Sequence, residues 1–291
     1  MTRPELLAPT LRVRVGFELK FDLTQSVPML LVVEPQDTDH QRILAARRRL
    51  TPDPEGGAFE LYQDAFENRV WRLLGRPGPL TVAHDVLVEV PASPDPQLTD
   101  LPGTPVEALP HETLQFLLPS RYGDADLLSQ EAWDRFGGLP GGWSKVQAIS
   151  DHLKTHVSYT AGSSTPATTA HMAYQAQRGV CRDFAHLGVA FCRALNIPAR
   201  YVYGYLPDIG VPVDPVPMDF HAWFEAFVGG AWRTFDARHN VPRTGRVRIA
   251  VGRDAADVAF CTSFGPSRLS GMRVWADQTE LTDLPPEWPA R

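Results

Sequence analysis

GVCRDFAHLGVAFCRALNIPARYVYGYL, residues 179–206, decides how this chain reads. It predicts a helix from Cys181 to Leu195, followed by a strand. Asn196 and Pro198 end the helix, because asparagine tolerates the left-handed conformation and proline cannot continue the hydrogen-bond ladder. Cys181 therefore stands in a first helical turn. Free backbone N–H groups and the helix dipole favour an anion there, and the thiolate is the form of cysteine that attacks carbon.

Working outward, a loop with four prolines at 207–217 leads into FHAWFEAFVGGAWRTFDA, residues 220–237. The pattern predicts two strands around a Gly229-Gly230 turn. That register sets Val228 against Ala231, Trp223 against Asp236 and His221 against Arg238. Asp236 then lies diagonal to His221 on the same face, within about 7–8 Å. A slip of one residue would move it to the other face. Cys181, His221 and Asp236 are thus candidate nucleophile, base and orienting acid. Arg238 and Trp223 are candidate substrate-binding residues, with Arg238 equally suited to holding Asp236. Tyr159 and Gln175 are left unassigned as second oxyanion donors.

On the N-terminal side, residues 11–23 place Leu11, Val13, Val15, Phe17, Leu19, Phe21 and Leu23 at every second position. Val82, His84, Val86, Val88 and Val90 repeat the pattern, with His84 read as a core histidine. Shorter runs at 29–34, 41–50, 59–63 and 68–74 complete a set of strands that predicts an antiparallel β-sandwich. Seven prolines and interspersed acids, Asp95 among them, make 91–119 an extended, solvated connector. Beyond it, Ser144 is a candidate cap for a helix carrying Val146, Ile149 and Leu153. A second helix is expected over about 168–178, ended by Gly179 in the left-handed conformation. SFGPSRLSG, residues 263–271, reads as a loop.

Composition excludes several classes of function. A net charge of −6 offers no basic field to nucleic acid or acidic lipid. Three cysteines cannot form a disulfide framework, and no C-x-x-C pair suggests zinc. Cys192 lies about 16 Å along the helix from Cys181, beyond the ~7 Å reach of a disulfide, and reads as core packing. Cys261 reads as structural or free. The longest compact apolar run, 29–33, is far short of the ~20 residues that span a bilayer. With no secretory signal pattern at the start, a cytoplasmic protein is expected. His186 points about 140° away from Cys181 and reads as structural. His239 is expected on the opposite side of its strand from His221, Asp183 as a partner of the helix dipole, and Asp208, Asp214 and Asp219 as solvated charges.

Three motifs in order, GVCRDFAHL, DFHAWFEAF and WRTFDARHN, resemble those of the transglutaminase-like superfamily of papain-fold cysteine enzymes. FLLPSRYGDADLL (116–128) and GRDAADVAF (252–260) resemble a bacterial subgroup with a β-rich N-terminal region. The resemblance implies an α+β protein, with a β-sandwich-like domain over 1–115 and a transglutaminase-like core over 120–291. It also implies acyl transfer from a peptide or protein amide through a thioester at Cys181, His221 and Asp236. The outcome is peptide or isopeptide hydrolysis, as in a cysteine protease, or transamidation. Animal members use calcium, but no EF-hand-like spacing is present, and no cofactor or metal is expected. Two other readings stay open: a non-catalytic peptide- or partner-binding module, and a metal site made of Cys181, His221 and Asp236. The sequence leaves a homo-oligomer undecided.

Overall fold

The computed structural model describes residues 9–53 and 59–280, and its fold is α+β. Six strands come first: β1 (Thr10–Leu23), β2 (Val27–Glu34), β3 (Arg42–Thr51), β4 (Phe59–Gln63), β5 (Arg69–Gly75) and β6 (Gly78–Pro91). Period-two alternation puts Val13, Val15, Phe17 and Leu19 of β1 in the core, fully buried. His84 of β6 packs between Phe17 and Trp71.

The helical part holds α1 (Ser129–Phe136), α2 (Trp143–His156), α3 (Ala170–Ala176) and α4 (Cys181–Ala194), with a two-residue parallel pair, β7 (Ser158–Tyr159) and β8 (Arg178–Gly179). α4 is buried from Phe184 through Arg193, as expected of a helix packed on all sides. Beside it runs an antiparallel sheet of β9 (Ala199–Tyr205), β10 (His221–Val228), β11 (Ala231–Phe235) and β12 (Val247–Gly252), in the order β11-β10-β9-β12. Helix and sheet approach closely at Gly188, where an added Cβ would come within 2.3 Å of the Phe224 ring.

Several local expectations are corrected. α2 begins at Trp143 after Gly142, so Ser144 lies inside the helix and does not cap it. α3 ends on Gln177, at φ 50°, and not on Gly179. Gly179 serves packing instead, because a Cβ there would lie 2.8 Å from the Asp183 Cβ.

The chain also returns to its start. β13 (Thr262–Ser263) pairs with β2, and β14 (Ser267–Gln278) pairs with β1 from Val13↔Gln278 to Leu23↔Ser267. The sandwich is therefore two four-stranded sheets, β14-β1-β6-β3 and β13-β2-β5-β4. The expected division at about 120 is crossed by these two strands, and six of the nine residues read as a loop at 263–271 are strand. The physical reason is the exposed edge of β1, a row of unpaired backbone groups that β14 satisfies. The connector differs too: 3₁₀ turns at Val106–Ala108 and His111–Leu117 bury Thr113 and Phe116.

Two buried amides join the sandwich to the sheet of β9–β12. β12 is an edge strand, and Gln41 accepts from the Arg248 N–H (2.7 Å) while donating to its carbonyl (2.8 Å). Asn68 does the same at Val251, at 2.9 and 2.8 Å. Each side chain imitates a neighbouring strand. Among the described residues no helix is long and apolar enough to cross a membrane.

Inside the sandwich, Glu34 is 2% exposed and accepts from Arg48 (2.7 Å), Arg69 (2.5 Å) and the Trp71 indole (2.7 Å). Burial would raise its pKa, but Arg48 and its neighbours outweigh burial and hold it at about 2. A carboxyl lowered from 4.5 contributes about 3 kcal/mol, present above the unfolded value and lost as pH falls toward 2. Glu34→Gln is therefore expected to lose about 3 kcal/mol at pH 7 in urea unfolding. The gap from wild type should close between pH 4.5 and 2, and a gap independent of pH would remove the ionised carboxylate from the explanation.

Candidate functional site

The hairpin adopts the expected register, with Val228↔Ala231 and Phe224↔Phe235 paired. His221 opens β10 and Asp236 follows β11, so the strand pairing sets both positions. The imidazole Nε2 stands 2.8 Å from Asp236 Oδ2 in a buried pair. An ionised carboxylate only accepts, so Nε2 carries the proton and Nδ1 is left as the basic atom.

Cys181 enters from the N-terminus of α4. Its thiol is partly exposed and lies 4.0 Å from the carbonyl of Phe220, the residue before His221. The turn before it is held by Asp183, whose carboxylate accepts from the Val180 N–H at 2.8 Å and from the Ser164 hydroxyl. Asp183 is thus a fully buried clamp on the loop as well as a partner of the helix dipole. Burial alone would lower the His221 pKa. The charge and hydrogen bond of Asp236, with the nearby thiol, outweigh it and hold the imidazole above its ordinary value. Asp236 answers in kind: burial opposes its charge, but His221 and Arg246 hold it well below the usual carboxylate range.

Arg246 is the residue that sequence reasoning missed. Its Nη2 donates to Asp236 at 3.1 Å, and its Nε to Asp95 at 2.9 and 3.1 Å. Asp95 was expected to be solvated in the connector. It is instead 16% exposed, paired with Arg246, and accepts from the Arg243 N–H at 3.0 Å. Nothing in the local pattern signals this pair, because Asp95 and Arg246 are 151 residues apart.

Arg238 does not hold Asp236 with its side chain. Its guanidinium stacks 3.9 Å from the centre of the exposed Tyr159 ring, with Nη1 3.4 Å from His221 Nδ1. Its backbone N–H, with that of His239, donates to Asp236 Oδ1 at 3.2 Å. Those two bonds turn the chain after β11, so His239 does not alternate to the far face. Its ring lies 5.1 Å from that of His221. Burial pushes the His239 pKa down to about 4, which keeps it neutral at neutral pH.

Trp223 is 2% exposed and lies parallel to His221 at 6.2 Å, with Arg246 5.1 Å from its ring centre. It is a wall beneath the histidine and does not face an open cleft. Gln175 sits near His171, whereas Tyr159 borders the site. Asp208, expected to be solvated, pairs with Arg243 at 2.9 Å.

The remaining thiols and histidines fall elsewhere. Cys192 is fully buried, burial pushes the Cys261 thiol up to about 12, and all three cysteines are free. His186 is buried against Tyr122 and Tyr201, and its Nε2 accepts from the Ala255 N–H at 3.1 Å. The stretches 116–128 and 252–260 meet over this helix. Asp254 accepts from the Tyr122 N–H, and buried Arg193 donates to the carbonyls of Leu118, Ala199 and Arg253. Among the described residues, the group with metal-ligating geometry is His221, Asp236 and His239, whose ligand atoms lie within 4.8 Å of one another. Cys181 is not part of it.

Comparison with known proteins follows the same lines. The profile of the transglutaminase-like superfamily matches residues 134–237. A crystal structure from Cytophaga hutchinsonii, named "Putative Cysteine Protease", is 34% identical over 97% of this chain and 95% of that one, with a TM-score of 0.84. An uncharacterized Mycobacterium leprae protein is 37% identical over 117 residues, 39% of this chain and 42% of that protein. An uncharacterized Mycobacterium tuberculosis protein is 29% identical over 194 residues, 63% of this chain and 59% of that protein. The matched regions thus span about half the length of these mycobacterial relatives.

Removing Arg246 would leave Asp95 and Asp236 facing each other without their shared cation. Arg246→Gln is expected to lose about 3–5 kcal/mol in urea unfolding. Adding Asp95→Asn should recover part of that loss, since one uncompensated charge is gone. A single variant within 1 kcal/mol of wild type would show that the arginine is not needed to keep Asp236 charged.

Proposed function

The chain belongs to the transglutaminase-like superfamily, and from that premise we propose that it is a cysteine-dependent hydrolase of peptide or isopeptide amides. The observation that carries this reading is one histidine bonded through Nε2 to a buried aspartate at 2.8 Å, with a partly exposed thiol at a helix N-terminus 4.0 Å from the carbonyl of the residue before that histidine. The name carried by the Cytophaga hutchinsonii relative supports hydrolysis over transamidation.

In this reading Cys181 is the nucleophile, His221 the base and Asp236 the group that orients it. His221 Nδ1 takes the thiol proton, and the thiolate adds to the amide carbonyl carbon. The first-turn N–H groups of α4 face the developing oxyanion. Collapse of the tetrahedral intermediate breaks the C–N bond, and the imidazolium returns its proton to the leaving amine. The thioester left on Cys181 is then attacked by water, which loses its proton to His221 and releases the carboxylic acid. An amine in place of water would give transamidation by the same steps. Asp236 stabilises the imidazolium that forms in each half-reaction. Arg238, close to Nδ1 and partly exposed beside Tyr159, is suited to binding a substrate carboxylate. The proposal includes a cytoplasmic location, which the free thiols suit.

Three measurements test it. Cys181→Ala should abolish iodoacetamide labelling near neutral pH and the acyl adduct detected by mass spectrometry after incubation with peptide and cell-wall amides. His221→Gln should lower kcat by about 10²–10⁴-fold. Because Asp236 holds the imidazole above its ordinary value, and His221 must be neutral to take the thiol proton, Asp236→Asn should move the acid limb of the rate profile to lower pH. If Cys181 labels no faster than an ordinary thiol between pH 5 and 9 and traps no acyl group, the nucleophile assignment fails. Equal peptide binding by wild type and Cys181→Ala without turnover would favour a binding module.

A further inference from the structure

One stacked pair joins the two halves of the site. Tyr159 pairs in parallel with Gly179, two residues before Cys181, so it stands beside the turn that presents the thiol. Arg238 follows Asp236 by two residues and stands beside the hairpin that presents the base. Its guanidinium lies 3.9 Å from the centre of the Tyr159 ring, so a single cation spans from one half to the other.

Arg238 is held in place before any ligand arrives. Its backbone N–H donates to Asp236 Oδ1 at 3.2 Å, its carbonyl accepts from Lys154 Nζ at 2.7 Å, and its guanidinium rests on the Tyr159 ring. Its charge is nonetheless unanswered. Among the described residues the Arg238 guanidinium forms no salt bridge, and its polar neighbour is His221 Nδ1, 3.4 Å from Nη1. Asp219, on the loop before β10, accepts from the Phe220 N–H at 2.7 Å and makes no salt bridge with Arg238. Tyr159 is 48% exposed and Arg238 is partly exposed, so both face solvent. A guanidinium that is fixed, accessible and unpaired offers its fork to a carboxylate.

The short distance to Nδ1 selects which carboxylate. In the reaction proposed above, Nδ1 returns its proton to the leaving nitrogen, which must then lie about 3 Å away. A carboxylate on the α-carbon of that same residue is two bonds from the nitrogen, within reach of a guanidinium beside Nδ1. Each further residue would carry the terminus up to about 3.5 Å farther off. We infer that the chain is a carboxypeptidase, which releases the C-terminal residue of a peptide while its free α-carboxylate sits on Arg238. The inference rests on the thiol chemistry proposed above. The C–S bond forms at the penultimate carbonyl and the C–N bond breaks. The departing amino acid takes its proton from His221 Nδ1 and leaves with its carboxylate, and water then frees the shortened peptide from Cys181.

Alkylation of the full chain tests this without a known substrate. Chloroacetylglycine and chloroacetylglycinamide carry the same electrophile and differ in a carboxylate against its uncharged amide. That group stands within one bond of the distance it would have in a leaving residue. Peptide mapping by mass spectrometry reads Cys181 apart from Cys192 and Cys261. The acid-to-amide rate ratio at Cys181, divided by the same ratio for 2-mercaptoethanol, cancels the thiolate fraction. It should be at least about tenfold in wild type, fall toward one in Arg238→Gln and recover in part in Arg238→Lys. N-acetyl peptides offered as free acid and as C-terminal amide should lose their last residue at least about tenfold faster as the acid. A ratio near one in wild type, a ratio unchanged in folded Arg238→Gln, or an amide cut as fast as its acid overturns the inference while the nucleophile stands. If Cys181 reacts with neither reagent faster than an ordinary thiol, the nucleophile assignment fails and takes the inference with it. The wild-type ratio decides whether or not a variant folds.

Discussion

Asp236 is a carboxylate with a side chain 3% exposed, and a charge in that position is costly unless every oxygen lone pair finds a donor. His221 Nε2 and Arg246 Nη2 take one oxygen; the backbone N–H groups of Arg238 and His239 take the other. Much of the surrounding structure follows from that demand. Arg246, itself buried, needs a second anion, and Asp95 supplies it from the far side of the connector. The two backbone bonds force the chain to turn after β11, which folds His239 back toward His221. One buried charge thus draws together a hairpin, a turn, a strand approach and a proline-rich segment.

The same principle ties the sandwich to the rest. β12 has a free edge, and two buried side-chain amides, Gln41 and Asn68, complete its ladder at Arg248 and Val251. β14 completes β1 in the opposite direction, carrying the end of the chain back to its beginning. α4 is held at one end by Asp183, and Arg193 near the other end satisfies carbonyls from three separate segments. The helix that presents Cys181 is therefore fixed along its length, which limits how far the thiol can move relative to His221.

Much of this was legible in the residues. The alternation at 11–23, the helix after Val180 and the Gly-Gly turn are short-range patterns, set by backbone period and by what glycine, asparagine and proline permit. The hairpin register brought His221 and Asp236 to one face because strand pairing is local there. The errors lie where local rules run out. His239 was misplaced because strand alternation was extended past Asp236, where side-chain-to-backbone bonds bend the chain. Gln177 took the left-handed position expected of Gly179, whose small size serves the contact with Asp183 instead.

The sequence by itself determined the class of the fold and the hairpin register that brings His221 to Asp236. Each depends on the chain's own periodicity, its turn residues and its motif order. Only the tertiary structure decided what keeps Asp236 charged, where β14 goes, and how the sandwich is tied to the edge of β12. Those features rest on contacts between residues far apart in the chain, such as Asp95 with Arg246 and Gln41 with Arg248. No local preference encodes such a contact, because its free energy exists only once burial has removed water from both partners.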